Sequence, residues 1–142
     1  MRRFRYKLQA AFERFRDAET VAQRALAATE ANLAAERGAL AGLEAKAAVA
    51  RELLRTAASV VVLAAIDRRL AALEAAQRDS RARVAQAQRC RAAARAELER
   101  AARQRSALER HRERALAEHV REAELREAAE FDEFNAIGTG LA

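Results

Sequence analysis

Proline and tryptophan are absent, glycine occurs four times, and there is one tyrosine and one cysteine in 142 residues. Each scarcity excludes something. Without proline, and with so little glycine, little in the sequence breaks a helix or forces a tight turn. With few aromatic side chains there is little to fill a globular core. The apolar share of 51% is inflated by alanine, which buries little area. A thin seam between two helices is therefore the burial mode that matches it. Cys90 stands alone, so no internal disulfide can form and a cytoplasmic setting is expected. No apolar run approaches the ~20 residues that span a bilayer. The opening Met1-Arg2-Arg3-Phe4 lacks the apolar stretch of a signal peptide, and none is expected.

What remains is dominated by Ala, Leu, Arg and Glu, all strong helix formers. Such a composition at helical period marks a coiled coil or long helix. The length fits one domain. The only β-branched cluster is Val60-Val61-Val62.

The net charge of +6 is unevenly spread. Residues 1–16 hold six basic residues against one acid, Glu13. Residues 68–114 are rich in Arg, and the sign reverses at Glu122, Glu124, Glu127, Glu130, Asp132 and Glu133. A basic chain can bind nucleic acid or anionic lipid. Here acids alternate with the arginines, which reads as a solvated helical face, and no nucleic-acid partner is expected.

A heptad seam runs through Leu8, Phe12, Phe15, Glu19, Ala22, Leu26, Thr29, Leu33, Glu36, Leu40, Leu43, Ala47, Ala50, Leu54, Ala57 and Val61. Its steps alternate four and three, which keeps one stripe facing a partner helix. Glu19, Thr29 and Glu36 interrupt it, and polar seam residues can fix register at a cost in stability. A second seam runs Ile66, Leu70, Leu73, Gln77, Ser80, Val84, Ala87, Arg91, Ala94, Leu98, Ala101, Arg105 and Leu108. Arg91 and Arg105 can lie along it with their heads in water.

The best break between the seams is Arg55-Thr56-Ala57-Ala58-Ser59, where Thr56 and Ser59 are capping-type residues. The sequence therefore predicts an all-α fold: a long two-helix antiparallel coiled-coil hairpin, with helix 1 over about 4–55, a turn at about 56–59 and a longer helix 2 over about 60–135, ending near Gly138 as a C-terminal cap. A turn centred there pairs residue i with roughly residue 115 minus i, setting Leu8 near Leu108, Leu33 near Val84 and Leu43 near Leu73. Gly38 and Gly42 interrupt helix 1 at about 1 kcal/mol each, which a long hairpin tolerates. Helix 1 ends opposite residue 111 or so. Past that point helix 2 keeps an apolar stripe of Leu116, Val120, Ala123, Phe131 and Phe134, and an unpaired apolar stripe calls for a partner.

Chemistry-bearing constellations are missing. There is no Gly-rich phosphate loop, and His111 and His119 are not spaced as a metal pair. They are expected to be surface histidines. Cys90 has no neighbouring base in any catalytic motif, and a two-helix hairpin offers no deep pocket to shift carboxylate pKa values. Neither catalysis, a metal nor a cofactor is expected.

The layout resembles the flagellar export proteins of the FliJ family and their type III secretion relatives of the YscO kind. Phe4-Arg5-Tyr6-Lys7-Leu8-Gln9 is similar to the family's opening of alternating aromatic, basic and apolar residues. Ser59 through Leu73 falls at its turn and the start of its second helix, and Glu130-Phe131-Asp132-Glu133-Phe134 resembles its acidic close. The turn departs from the family in carrying Val60, Val61, Val62 and Ile66 in place of aromatics. The resemblance implies a non-enzymatic stalk, similar to the two-helix γ subunit of rotary ATP synthase, that binds a hexameric export ATPase, an FlhA-like export gate protein and export chaperones. It implies a cytoplasmic protein, peripheral to the inner membrane at the export apparatus. At the ATPase end the expected contact residues are Arg3, Arg5, Lys7, Leu116, Val120, Phe131 and Phe134. In the half nearer the turn they are Leu40, Leu43, Val62, Ile66 and Leu70. Two other readings stay open: a structural coiled coil that dimerises through its seams, and an Arg-rich binder of nucleic acid or anionic surfaces using residues 78–114.

Overall fold

The computed structural model describes residues 3–140, and Arg2 of the basic opening lies outside them. The fold is the two-helix antiparallel hairpin, with α1 spanning Gln9–Thr56 and α2 the longer Val60–Gly140. No strand occurs among the described residues.

Local chemistry sets the helix limits. The Tyr6 carbonyl accepts from Gln9 N at 3.2 Å and the Leu8 carbonyl from Phe12 N at 2.9 Å. The basic opening therefore precedes the helix instead of forming its first turns, and α1 begins at Gln9 rather than near residue 4. At the other end, Thr56 Oγ1 donates to the Leu53 carbonyl at 3.2 Å, satisfying one of the carbonyls that a helix terminus leaves without a partner. The Ser59 carbonyl then accepts from Leu63 N at 2.9 Å, which makes Ser59 the N-cap residue of α2. Gly138 does not cap α2: no described glycine has a positive φ, the conformation such a cap needs, and the helix continues to Gly140.

The chain forms two compact units, Val21–Leu98 and a second built from Met1–Thr20 with Glu99–Ala142. In the first, the turn unit, the core is narrow. Ala22, Leu33, Ala47 and Ala50 of α1 are buried, with Gln77, Ser80 and Ala87 of α2. Gln77 Nε2 donates to the Leu43 carbonyl at 3.4 Å. Ion pairs flank the seam: Arg83–Glu36 at 3.2 Å, Arg91–Glu30 at 3.5 Å, Arg51–Glu74 at 3.5 Å and Arg81–Glu44 at 3.7 Å. Exposed pairs of this kind contribute about 0–1 kcal/mol each, so they select an alignment more than they hold it. The pairs of Leu43 with Gln77, Glu36 with Arg83 and Glu30 with Arg91 join residue i to one near 120 minus i, and Arg51 with Glu74 and Glu44 with Arg81 to 125 minus i. All of them lie beyond the expected 115 minus i, by one helical turn or more.

In the second, the terminal unit, Tyr6, Phe12 and Ala101 are buried. The seam begins at Tyr6 and Phe12, not at Leu8, which is exposed. Gly38 and Gly42, in the turn unit, meet nothing within 4 Å of where a Cβ would stand, so neither marks a close approach between helices.

Candidate partner-binding surfaces

The terminal unit concentrates the polar chemistry. Residues 3–8 precede α1 and line a groove with His111, Ala115, Glu118, His119 and Glu122 of α2. Tyr6 OH lies 2.8 Å from His111 Nδ1 and 3.4 Å from the Leu108 carbonyl. Phe4 tilts against the His119 ring at a centroid distance of 5.5 Å, and the Arg112 guanidinium sits 5.6 Å above the Phe12 ring. His111 is exposed, as the sequence suggested, and His119 is half-buried; both are also ring or hydrogen-bond partners of the opening segment. No pattern local in sequence signals this, because Tyr6 and His111 are 105 positions apart.

Glu19 and Arg105, which interrupt the two seams, answer one another: Arg105 Nε donates to Glu19, and its Nη1 donates to Glu109. The Glu19 hydrogen bond and charge hold the guanidinium above its ordinary pKa, with Glu109 adding to them and burial working in the opposite direction. Arg81, Arg83, Arg91 and Arg105 all reach acids of α1. The Arg-rich stretch thereby has acidic partners within its own hairpin.

Of the residues expected at the ATPase end, Arg3, Arg5 and Lys7 are exposed on the opening segment, and Leu116 and Val120 are exposed on α2. The groove lined by the opening segment reaches Glu122 of α2, so that segment covers α2 past residue 111. From residue 124 to residue 138 every residue is exposed. Phe131 is 71% and Phe134 77% accessible, and Ile137 and Leu125 are exposed as well.

Near the turn the expected set divides. Leu40, Leu43, Ile66 and Leu70 are half-buried on the seam. Val62 is exposed. The open apolar residues there are others: Val60 and Val61, 80% and 77% accessible, with Val49 and Leu53. A groove beside the turn is lined by Ala45, Lys46, Val49, Ala50, Leu53, Ile66 and Arg69. Val49 and Leu53 are four apart and off the heptad stripe, a signal that the seam pattern overshadows.

Cys90 is exposed and free, and it accepts from Gln86 Nε2 at 3.8 Å. Among the described residues no cluster of His, Cys, Asp and Glu could hold a metal ion, and no helix is long and apolar enough to cross a membrane. No protein-family model, curated protein or solved structure matches the chain. The class is therefore defined by fold and surface alone: a two-helix coiled-coil hairpin with apolar side chains exposed beside its turn and near its C-terminal end.

Proposed function

We propose that the protein is a non-enzymatic stalk or adaptor of a flagellar, type III protein export apparatus, binding the hexameric export ATPase through its terminal unit and an FlhA-like export gate protein through its turn unit. The observation that carries the reading is the pair Phe131 and Phe134. Both are largely exposed near the C-terminal end of α2. Leaving them so forgoes roughly 2 kcal/mol of burial each. The fold class and the order of basic opening, long hairpin and acidic close support it by likeness to the FliJ family. The protein acts in the cytoplasm, peripheral to the inner membrane at the export gate, where export chaperones also meet it. At the turn, the gate protein contacts Val60, Val61 and Val62 with Val49 and Leu53.

The test is binding to purified export ATPase. Phe131→Ala with Phe134→Ala should sharply reduce binding and any stimulation of ATP hydrolysis while leaving the melting temperature almost unchanged. Reversal of Arg3, Arg5 and Lys7 to Glu should weaken the same binding with helicity nearly intact. Undiminished binding by both variants at physiological salt would remove this surface from the assignment.

A further inference from the structure

Two surfaces of the chain carry exposed apolar side chains and are opposite in charge. The groove beside the turn has an apolar floor of Val49, Leu53 and Ile66 with Lys46 and Arg69 at its margins. Its surroundings, residues 46–69, hold five basic residues against two acids, Glu52 and Asp67. The end of α2 is the reverse: Phe131 and Phe134 stand among acids, and residues 122–133 hold six acids against Arg126 alone. Val49, Leu53, Phe131 and Phe134 are exposed in the single chain, and Ile66 is half-buried.

We propose that the acidic end of α2 of one copy docks in the basic-rimmed apolar groove of a second copy. The lengths agree. Lys46 to Leu53 covers about 10 Å of helix and Phe131 to Ile137 about 9 Å at 1.5 Å per residue. A third helix laid against two gives local three-helix packing of ordinary kind. Phe131 and Phe134, three apart, enter as apolar anchors between Leu53 and Ile66, while Glu130 and Glu133 face Lys46 and Arg69. Pairing of two α2 ends with each other is disfavoured, since each would bring its acids against the other's. The contact is heterologous. Each copy carries one groove and one acidic end, so association runs head to tail and extends unless the rotation closes a ring.

The inference does not rest on the stalk reading. The same phenylalanines serve both, so a copy docked on its neighbour is not free to hold an ATPase by that end. Self-association is a reservoir that the larger partner would dissolve.

Sedimentation of the purified full chain over a wide concentration range tests it, with no ATPase present. The mass of the wild type should rise with concentration and fall as salt is added. Phe131→Ala with Phe134→Ala removes the anchors, and Leu53→Glu spoils the groove. Each variant alone should remain monomeric, yet an equimolar mixture should give a one-to-one dimer and nothing larger, because one partner supplies an intact groove and the other an intact end. Lys46→Glu with Arg69→Glu, exposed changes that leave the seam alone, should reproduce the loss seen with Leu53→Glu. Circular dichroism establishes that each variant retains its helices. A wild type monomeric throughout, a variant that assembles like the wild type, or a mixture without a dimer overturns the proposal.

Discussion

The turn unit and the terminal unit are made from the same two helices by different means. In the turn unit the buried positions are mostly small, Ala22, Ala47, Ala50, Ser80 and Ala87, with Leu33 the one large apolar side chain buried. Helices meeting over alanine approach closely and leave no room between them. Cross-helix Arg–Glu pairs then line the margins. In the terminal unit the buried side chains are Tyr6 and Phe12 with Ala101, and rings contact His111, His119 and Arg112. The difference teaches that a heptad repeat fixes which positions face inward and leaves open how the inside is filled. Small residues make the turn unit intolerant of added volume. Aromatic residues make the terminal unit intolerant of lost volume.

Substitutions can break that contrast, and the largest effect should come from the terminal unit. Phe12→Ala removes a buried ring and should cost about 3 kcal/mol in denaturant unfolding. A loss well under half of that would mean the Phe12 ring is not packed between the helices of the terminal unit as described. In the turn unit the damaging change is in the other direction. Ala47→Leu forces extra methyl groups into a fully buried position and should destabilise by about 1–3 kcal/mol. If Ala47→Leu were neutral, the close approach of the helices would be the part of the contrast to give up.

Smaller changes sharpen it. Gly38 and Gly42 have open space where a Cβ would stand. Gly38→Ala with Gly42→Ala should therefore stabilise α1 by about 0.5–1 kcal/mol each, read as a higher thermal midpoint. A lower midpoint would point to a close contact at those positions. The smallest effect is expected for Tyr6→Phe, which keeps the ring and deletes the hydroxyl bonded to His111. It should cost about 1 kcal/mol. Amide exchange should show the loosening in residues 3–12 and leave the protection of residues 60–90 unchanged. Equal loosening in both stretches would show that the opening segment supports more than its own unit.

Much of the fold could be read before any coordinates. Every interior position of both seams, from Phe12 to Ala57 and from Ile66 to Leu108, is buried or half-buried. The break at Thr56 to Ser59 coincides with the gap between α1 and α2. Four-three spacing is a local property, and it survives the weak polar positions Glu19, Thr29 and Glu36. The outermost positions, Leu8 and Val61, are exposed instead. There the stripe runs off the paired surface, and spacing carries no information about where pairing stops. Near the turn the expected residues are only in part the open ones, for a related reason. Leu40, Leu43, Ile66 and Leu70 are the large apolar residues one notices, and all are half-buried on the seam, Ile66 also lining the groove, whereas the exposed positions are Val49, Leu53, Val60, Val61 and Val62.

The alignment of the helices divides what sequence determined from what tertiary structure decided. Composition and period by themselves determined two helices, their inward faces and the point of reversal, because each depends on residues within a few turns of one another. A four-three repeat, however, matches a similar repeat almost equally well when one helix slides by a turn. The seams therefore could not choose between 115 minus i and the larger offsets that the cross-helix pairs show. That choice rests on long polar side chains that close across the seam, Gln77 to Leu43 and Arg83 to Glu36. The seat of the opening segment likewise rests on Tyr6 reaching His111. Such contacts join residues far apart in the chain, and they exist only once both helices are already in place.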